Sequence, residues 1–533
     1  MTASSWWRRT STLRNSWRSR NMTVVSKAPG EATPLLTGSR QNPQRTTSAW
    51  KFQVTSPRGI TFIVALAFVI LGSGGTLVIV PTTRILEDVL CHRFYDTLDG
   101  RNGAIDEKLC KRDEIQSELA YLTGLIASVE AAVGFAFAFP YGILADKIGR
   151  KPIFLLTMVG VMLAMLANFA VLRFWRTIPI HLIIYTSIFE VIGGGTPVTT
   201  SVLYSIVADV NLPANRASAF SVIALATFAA NLIGPVLASR LVQTVSPWVP
   251  LCTTLVLLPI GTALIFIIPE TLPTKSEAEE DLPQEQSIIS SVTSHLQHTL
   301  AQLFESFTML KSTSLAIILF TFLQFMPSVL GITQFFLQYF SKRFGWPLAQ
   351  TGYLLSIRGI ASVFTLLVAL PGLSKLLMSP RLPFRFTAAR KHLLLAQCSA
   401  AVATLGAILL GGPSISIVLM GILVATLGDG LAPLTRALIA AFVDPQHTSR
   451  IYTLVGMVEA IGAMFAGPSL AYFFTKGMEW KGLWLGLPYL WLACLSGLVV
   501  IAFGFVNLES AVQKAFVEEE IERPGSRGEG ENV

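Results

Sequence analysis

Twelve runs of apolar residues divide this chain of 533 residues. Each is near the roughly 20 residues that a helix needs to cross a bilayer, and a helix satisfies its own backbone groups, as lipid demands. The first six runs are Gly59–Pro81, Leu119–Tyr141, Ile153–Phe174, Ile180–Val207, Ala217–Ser239 and Val249–Ile268. The second six are Ser314–Phe340, Gly352–Leu377, His392–Leu410, Ile415–Phe442, Ile451–Phe474 and Trp484–Phe505. The expected fold is therefore an all-α membrane protein with twelve transmembrane helices. An even number of crossings leaves both termini on one side.

Composition agrees. Hydrophobic residues make up 52% of the chain and charged residues 14%, against roughly 25% charge in ordinary soluble domains. Mean hydropathy is +0.59. The formal charge of +8 is concentrated in the first 58 residues, which hold ten Lys or Arg and one acid, Glu31. That places the excess in a tail rich in Ser, Thr and Pro, read as disordered, and gives no nucleic-acid signature. Five cysteines show no metal-ligand spacing. No nucleophile motif or Walker-type glycine loop is present. No metal, cofactor or enzymatic activity is expected, and no ATP-driven pump.

Positive charge orients the crossings. The N-terminal tail, the loop with Lys147, Arg150 and Lys151, and the loop with Lys375, Arg381, Arg385, Arg390 and Lys391 are basic. Short basic loops face the cytoplasm, so both termini are expected there. On the opposite side the longest loop, Thr82–Glu118, has six basic residues and nine acids, and its Cys91 and Cys110 are candidates for a disulfide in an oxidising compartment. Cys252, Cys398 and Cys494 lie in apolar runs and read as inert packing residues. Asn21 carries the N-x-S/T pattern on the tail and is expected to be unglycosylated.

Between the second and third runs the chain reads GILADKIGRKP. Gly142 is expected to let two backbones approach closely, and Gly149 to take the positive φ of a tight turn. Asp146 stands near a helix end, and Arg150 and Lys151 sit at the membrane edge. The stretch resembles the signature between the second and third helices of the major facilitator superfamily, with matches at Gly142, Leu144, Asp146, Gly149, Arg150, Lys151 and Pro152. LCHRFY, LCKRDEIQSELAYL, the stretch from LGDGLAPLTRAL to FAGP, and WLGLPYL resemble fungal facilitators linked to secondary metabolism. The resemblance covers roughly Gly59 to Asn507. It implies two six-helix bundles related by a pseudo-two-fold axis that rock around a central site, with the 142–151 stretch as conformational hinge.

The halves repeat each other. Pro197, Asp209, Arg216 and Gly234-Pro235 in the first half match Pro433, Asp444, Arg450 and Gly467-Pro468 in the second, in the same order and at nearly equal gaps. The Gly-Pro pairs are expected to kink their helices, with Ala230 and Ala463 giving small-residue spacings. The first half resembles part of an antiporter motif in the fifth helix, but Leu237 to Ser239 replace its later glycines.

Ionisable residues inside spans are costly and are functional candidates by default. Six stand out: Glu130, Glu190, Arg358, Asp429, Arg436 and Glu459. Arg436 and Glu459 lie about 12–14 Å from the same membrane edge at helical rise, so they are expected to pair. Glu130 and Glu190 have no Arg evident nearby in sequence and are the first candidates for carrying protons. Many drug-type relatives have an Arg in the fourth helix where this chain has Glu190, so their relay scheme does not transfer directly. Fixed ion pairs locking the bundles are the alternative role. In the seventh run Phe320, Phe322, Phe325, Phe335, Phe336, Tyr339 and Phe340 read first as packing residues and second as a site for an aromatic substrate.

The expected organisation is a basic tail (1–58), a six-helix bundle (59–269), a cytoplasmic linker with an amphipathic helix (270–313), a second bundle (314–506) and an acidic tail (507–533). The expected function is secondary transport of a small organic molecule, proton-coupled, with export of a secondary metabolite or drug placed first. Uptake or vacuolar loading is the nearest rival, and a nutrient-sensing transceptor is the rival of another class. The expected partners are the lipid bilayer, the substrate and the proton. A monomer is expected, in the plasma membrane first and the vacuolar membrane second; EATPLL at 31–36 resembles a vacuolar sorting signal.

Overall fold

The computed structural model describes residues 53–99, 105–272, 313–377, 388–440, 442 and 448–507. The N-terminal tail with Asn21 and EATPLL, the amphipathic helix of the linker, Arg381, Arg385, Asp444 and the acidic C-terminal tail lie outside these residues.

Twelve helical spans are long and apolar enough to cross a membrane. In the first half they are Pro57–Asp96, Asp113–Ile148, Arg150–Arg173, Ile180–Val210, Ser218–Thr244 and Trp248–Phe266, spans 1 to 6. Spans 7 to 12 are Thr313–Phe344, Leu348–Leu376, Arg390–Leu410, Ile415–Ile439, Leu454–Trp480 and Gly482–Gly504. Each sequence run has its span, including the polar-studded spans 8 and 10.

The helix ends follow local chemistry. Ser56 Oγ accepts from Gly59 N at 3.2 Å, and Pro57 opens the first helix. Asp113 and Glu114 occupy the first turn of span 2, where a carboxylate meets the positive helix end. Span 7 ends on Gly345 at φ 69°, with Lys342 and Arg343 in its last turn.

One expectation fails at the far side, the end opposite the 142–151 hinge. Thr82–Glu118 is mainly helix rather than loop: span 1 continues with a single break at Val78 through Ile79–Asp99, and span 2 begins at Asp113. Its charged residues looked like loop because the hydropathy signal ends at the lipid edge, whereas helix formation does not.

Cores divide by half. One cluster around Phe154, Ile206 and Ile265 and another around Leu86, Leu119 and Leu172 belong to the first half. A third around Phe322, Leu438 and Leu454 belongs to the second. The fourth is shared: Leu77, Val80, Ala120 and Ala238 pack with Phe335, Phe336, Tyr339, Phe340 and Leu470. Lipid gives no hydrophobic drive between helices, so close approach matters most. A Cβ on Gly124 would lie 2.6 Å from the Gly467 oxygen. Spans 2 and 11 thus cross with backbones touching.

Cys252, Cys398 and Cys494 are exposed rather than packed inside. Outward-facing and core-facing residues of a span are equally apolar, so sequence could not distinguish them.

Candidate functional site

The 142–151 stretch is an ion-pair cluster. Gly149 at φ 124° turns the chain between spans 2 and 3. Arg150 pairs with Asp146, and its Nε donates to Asp209 Oδ2 at 3.2 Å at the end of span 4. Glu270, after span 6, accepts from the backbone N–H groups of Arg150 at 2.9 Å and Lys151 at 3.1 Å. It caps span 3 from outside. Lys151 Nζ in turn donates to the Phe266 and Ile268 carbonyls at 3.0 and 2.9 Å. The hinge therefore ties the hinge-side ends of spans 2, 3, 4 and 6 together. Leu144 packs partly buried against the first-half core. Gly142 does not serve close approach, since a Cβ there would meet nothing within 4 Å. Sequence showed Asp209 only as a repeat landmark and Glu270 only as the start of a linker.

Span 4 is broken. Ile180–Val191 is a 3-10 helix, and Gly193, Gly194 and Gly195 all have positive φ before the α-helix resumes at Gly195. The break puts backbone against backbone: a Cβ on Gly193 would lie 2.3 Å from Thr157 Cα in span 3. Thr157 Oγ1 donates to the Gly193 carbonyl at 2.9 Å, and Tyr141 OH to the Val191 carbonyl at 3.0 Å. Glu190 stands at this break, close enough to Glu130 of span 2 for their charges to interact. Among the described residues no cation pairs with either. Span 10 repeats the device, with Gly428–Gly430 forming a 3-10 turn around Asp429.

A cavity of about 570 Å³ lies between the halves. Arg358 of span 8 and Asp429 and Arg436 of span 10 line it; Glu130, Glu190 and Glu459 do not. Arg358 Nη2 lies 3.5 Å from Asp429, whose Oδ2 accepts from Ser362 Oγ at 2.5 Å. Arg436 pairs with Glu459 of span 11 at 2.5 Å and lies over the rings of Phe322 and Phe325, 5.8 and 5.6 Å from their centroids. Of the seven aromatics of span 7, Phe325 lines the cavity. Phe322, Phe335, Phe336, Tyr339 and Phe340 are buried in cores, and Phe320 is exposed.

Both Gly-Pro pairs lie inside uninterrupted helices, Pro213–Thr244 and Thr448–Trp480. Proline lacks an N–H, so it frees the carbonyl four residues earlier. Before Pro468 that carbonyl belongs to Met464, and Ser128 of span 2 donates to it at 2.7 Å. Gly234 approaches span 1, where its Cβ would sit 1.9 Å from Thr76 Oγ1.

On the far side a charge network joins the two halves. Cys91 and Cys110 form a disulfide. Glu87, 0% exposed, accepts from Lys111 Nζ at 2.6 Å and Gln116 Nε2 at 2.7 Å. Glu107 Oε1 caps the first N–H of span 8, at Leu348, at 2.9 Å. Lys342 of span 7 pairs with Asp113 at 2.6 Å, and Gln338 Nε2 donates to the Gln116 carbonyl at 2.6 Å. These last three contacts cross from one half to the other.

Comparison with known proteins agrees with this geometry. The sequence profile described as Major Facilitator Superfamily matches residues 112–467. The chain is 30% identical over 440 residues to the MFS efflux pump atnC of Emericella nidulans, covering 81% of this chain and 84% of that protein. It is 28% identical over 492 residues to the MFS-type transporter aprT of Aspergillus flavus, covering 91% and 96%. The fold also resembles the crystal structure of a D-xylose–proton symporter, with TM-score 0.60 and 15% identity over 85% of this chain and 98% of that one. A hinge signature, two halves with matching broken fourth spans and a cavity between them accompany this similarity, and the chain belongs to the Major Facilitator Superfamily of membrane transporters.

Proposed function

We propose that the chain exports a small organic molecule of the secondary-metabolite or drug type, driven by the proton gradient. The observation that carries this is the cavity between the halves, lined by Arg358, Asp429 and Arg436, with Asp429 at the break in span 10 and polar contacts joining the halves on the far side. Similarity to a fungal efflux pump over most of both chains supports the direction. Glu130 and Glu190 supply the coupling: a carboxylate in lipid with no counter-cation can be neutralised by a proton, and these two lie beside the span 4 break. Both termini face the cytoplasm, the protein acts as a monomer, and the plasma membrane is its site, with the vacuolar membrane second.

The test compares small molecules inside and outside cells with and without the gene, followed by a pH-gradient assay in reconstituted vesicles. A compound retained inside the deletion strain, and moved by purified protein only under a proton gradient, is the expected result. A compound left unconsumed in the medium would mean uptake. Flux indifferent to the proton gradient would overturn the coupling.

A further inference from the structure

The cavity carries its charge unevenly. Its wall holds two guanidiniums, Arg358 and Arg436, and one carboxylate, Asp429. The first half's share of the wall is Thr76, Ile79, Phe228, Asn231 and Pro235, which adds no charge. Glu459, the partner of Arg436, stands behind it at 12% side-chain exposure. A ligand therefore meets a cationic surface on a wall that is otherwise uncharged and mostly apolar.

The two guanidiniums are not equally satisfied. Arg436 has a short ion pair and two aromatic rings. Arg358 reaches both Asp429 oxygens only at 3.5 Å, through one nitrogen, which is beyond ordinary hydrogen-bond length. Its Nε–H is shut off from solvent and meets no acceptor among the described residues. Asp429 takes its short hydrogen bond from Ser362 instead. A guanidinium fork matches a carboxylate with two parallel N–H···O bonds, and a charged donor left unmatched is expensive. Held only by this long pair, Arg358 gains more from an incoming carboxylate than a saturated arginine would once its guanidinium turns to bring the covered Nε–H to the ligand. Ser362 can hold Asp429 meanwhile.

We propose that the cavity selects an amphipathic organic anion, its carboxylate on the fork of Arg358 and its apolar body against Phe228, Phe325 and Leu355. This rests on the transport reading for its site and deepens it by naming the substrate class.

The test uses the full chain in detergent and three probes with one apolar body: 2-naphthoate, 2-naphthamide and 2-naphthylmethylammonium. Binding is read by calorimetry, and folding of each variant by gel filtration. Naphthoate is expected to bind roughly tenfold or more tightly than the amide, as one charged hydrogen-bond pair allows, and the ammonium weakest. Arg358→Gln should bring naphthoate and amide together, while Arg358→Lys keeps part of the preference. Equal binding of the three probes, preference for the ammonium, binding of none up to its solubility limit, or an anion preference surviving in Arg358→Gln would each overturn the inference. Proton-driven flux in vesicles separates the two claims. Selective naphthoate binding without flux sinks the transport reading alone, whereas flux without anion preference sinks this one alone.

Discussion

At the scale of single residues, the contrast between paired and unpaired carboxylates is informative. Asp429 and Glu459 each have an Arg partner, whereas no cation among the described residues pairs with Glu130 or Glu190. If the unpaired carboxylates carry the proton, Glu130→Gln or Glu190→Gln should cut pH-driven flux roughly a hundredfold, by analogy with losing one proton-transfer group, and leave gradient-free exchange of substrate nearly intact. Vesicle flux with and without an imposed pH gradient reads this directly; full gradient-driven flux in the double variant would refute it. Sequence exposed all six charges, because an ionisable residue within an apolar run is conspicuous. It did not show which of them share a cavity. That depends on helix rotation, and three of the six fall elsewhere.

At the scale of elements, glycine separates motif from mechanism. Gly142, Gly149 and Gly467 all stand in recognisable signatures, yet their surroundings differ. Gly142 is helical and faces open space, so Gly142→Ala should be neutral or stabilise the helix by about 0.5–1 kcal/mol. Gly149 holds φ 124° and its Cβ would lie 2.8 Å from Glu270, so Gly149→Ala should cost about 1–3 kcal/mol. Gly467→Ala should be the worst, because its Cβ would come within 2.0 Å of the Gly124 carbonyl oxygen and push spans 2 and 11 apart. Thermal unfolding of the purified variants checks this order, and a Gly142→Ala penalty equal to that of Gly467→Ala would contradict it. The same close approach gives the Gly-Pro pair of span 11 its work, since Pro468 frees the Met464 carbonyl for Ser128 at the crossing.

At the scale of the whole molecule, a transporter of this fold must break one seal to open the other. The far-side seal is polar and crosses between halves through Glu107, Asp113 and Gln116. Asp113→Asn combined with Glu107→Gln should therefore open the far side more often, read as several-fold faster labelling of a cysteine placed at Thr76 in the cavity wall by a bulky thiol reagent added from that side. Unchanged labelling would show that the shared apolar core around Phe336 and Leu470 holds the seal alone. The sequence by itself determined the twelve crossings, the turn with its signature at 142–151, the repeat and the charged residues within spans, because each rests on local hydropathy, turn chemistry or spacing along the chain. Only the tertiary structure decided that Asp209 and Glu270 complete the hinge, that span 4 breaks beside Glu190, that Arg358 faces the cavity with its Nε–H unmatched, and that Glu87 is buried in the far-side cap. Those depend on how helices rotate and approach one another in lipid, where core-facing and lipid-facing residues are equally apolar and hydropathy is silent about direction.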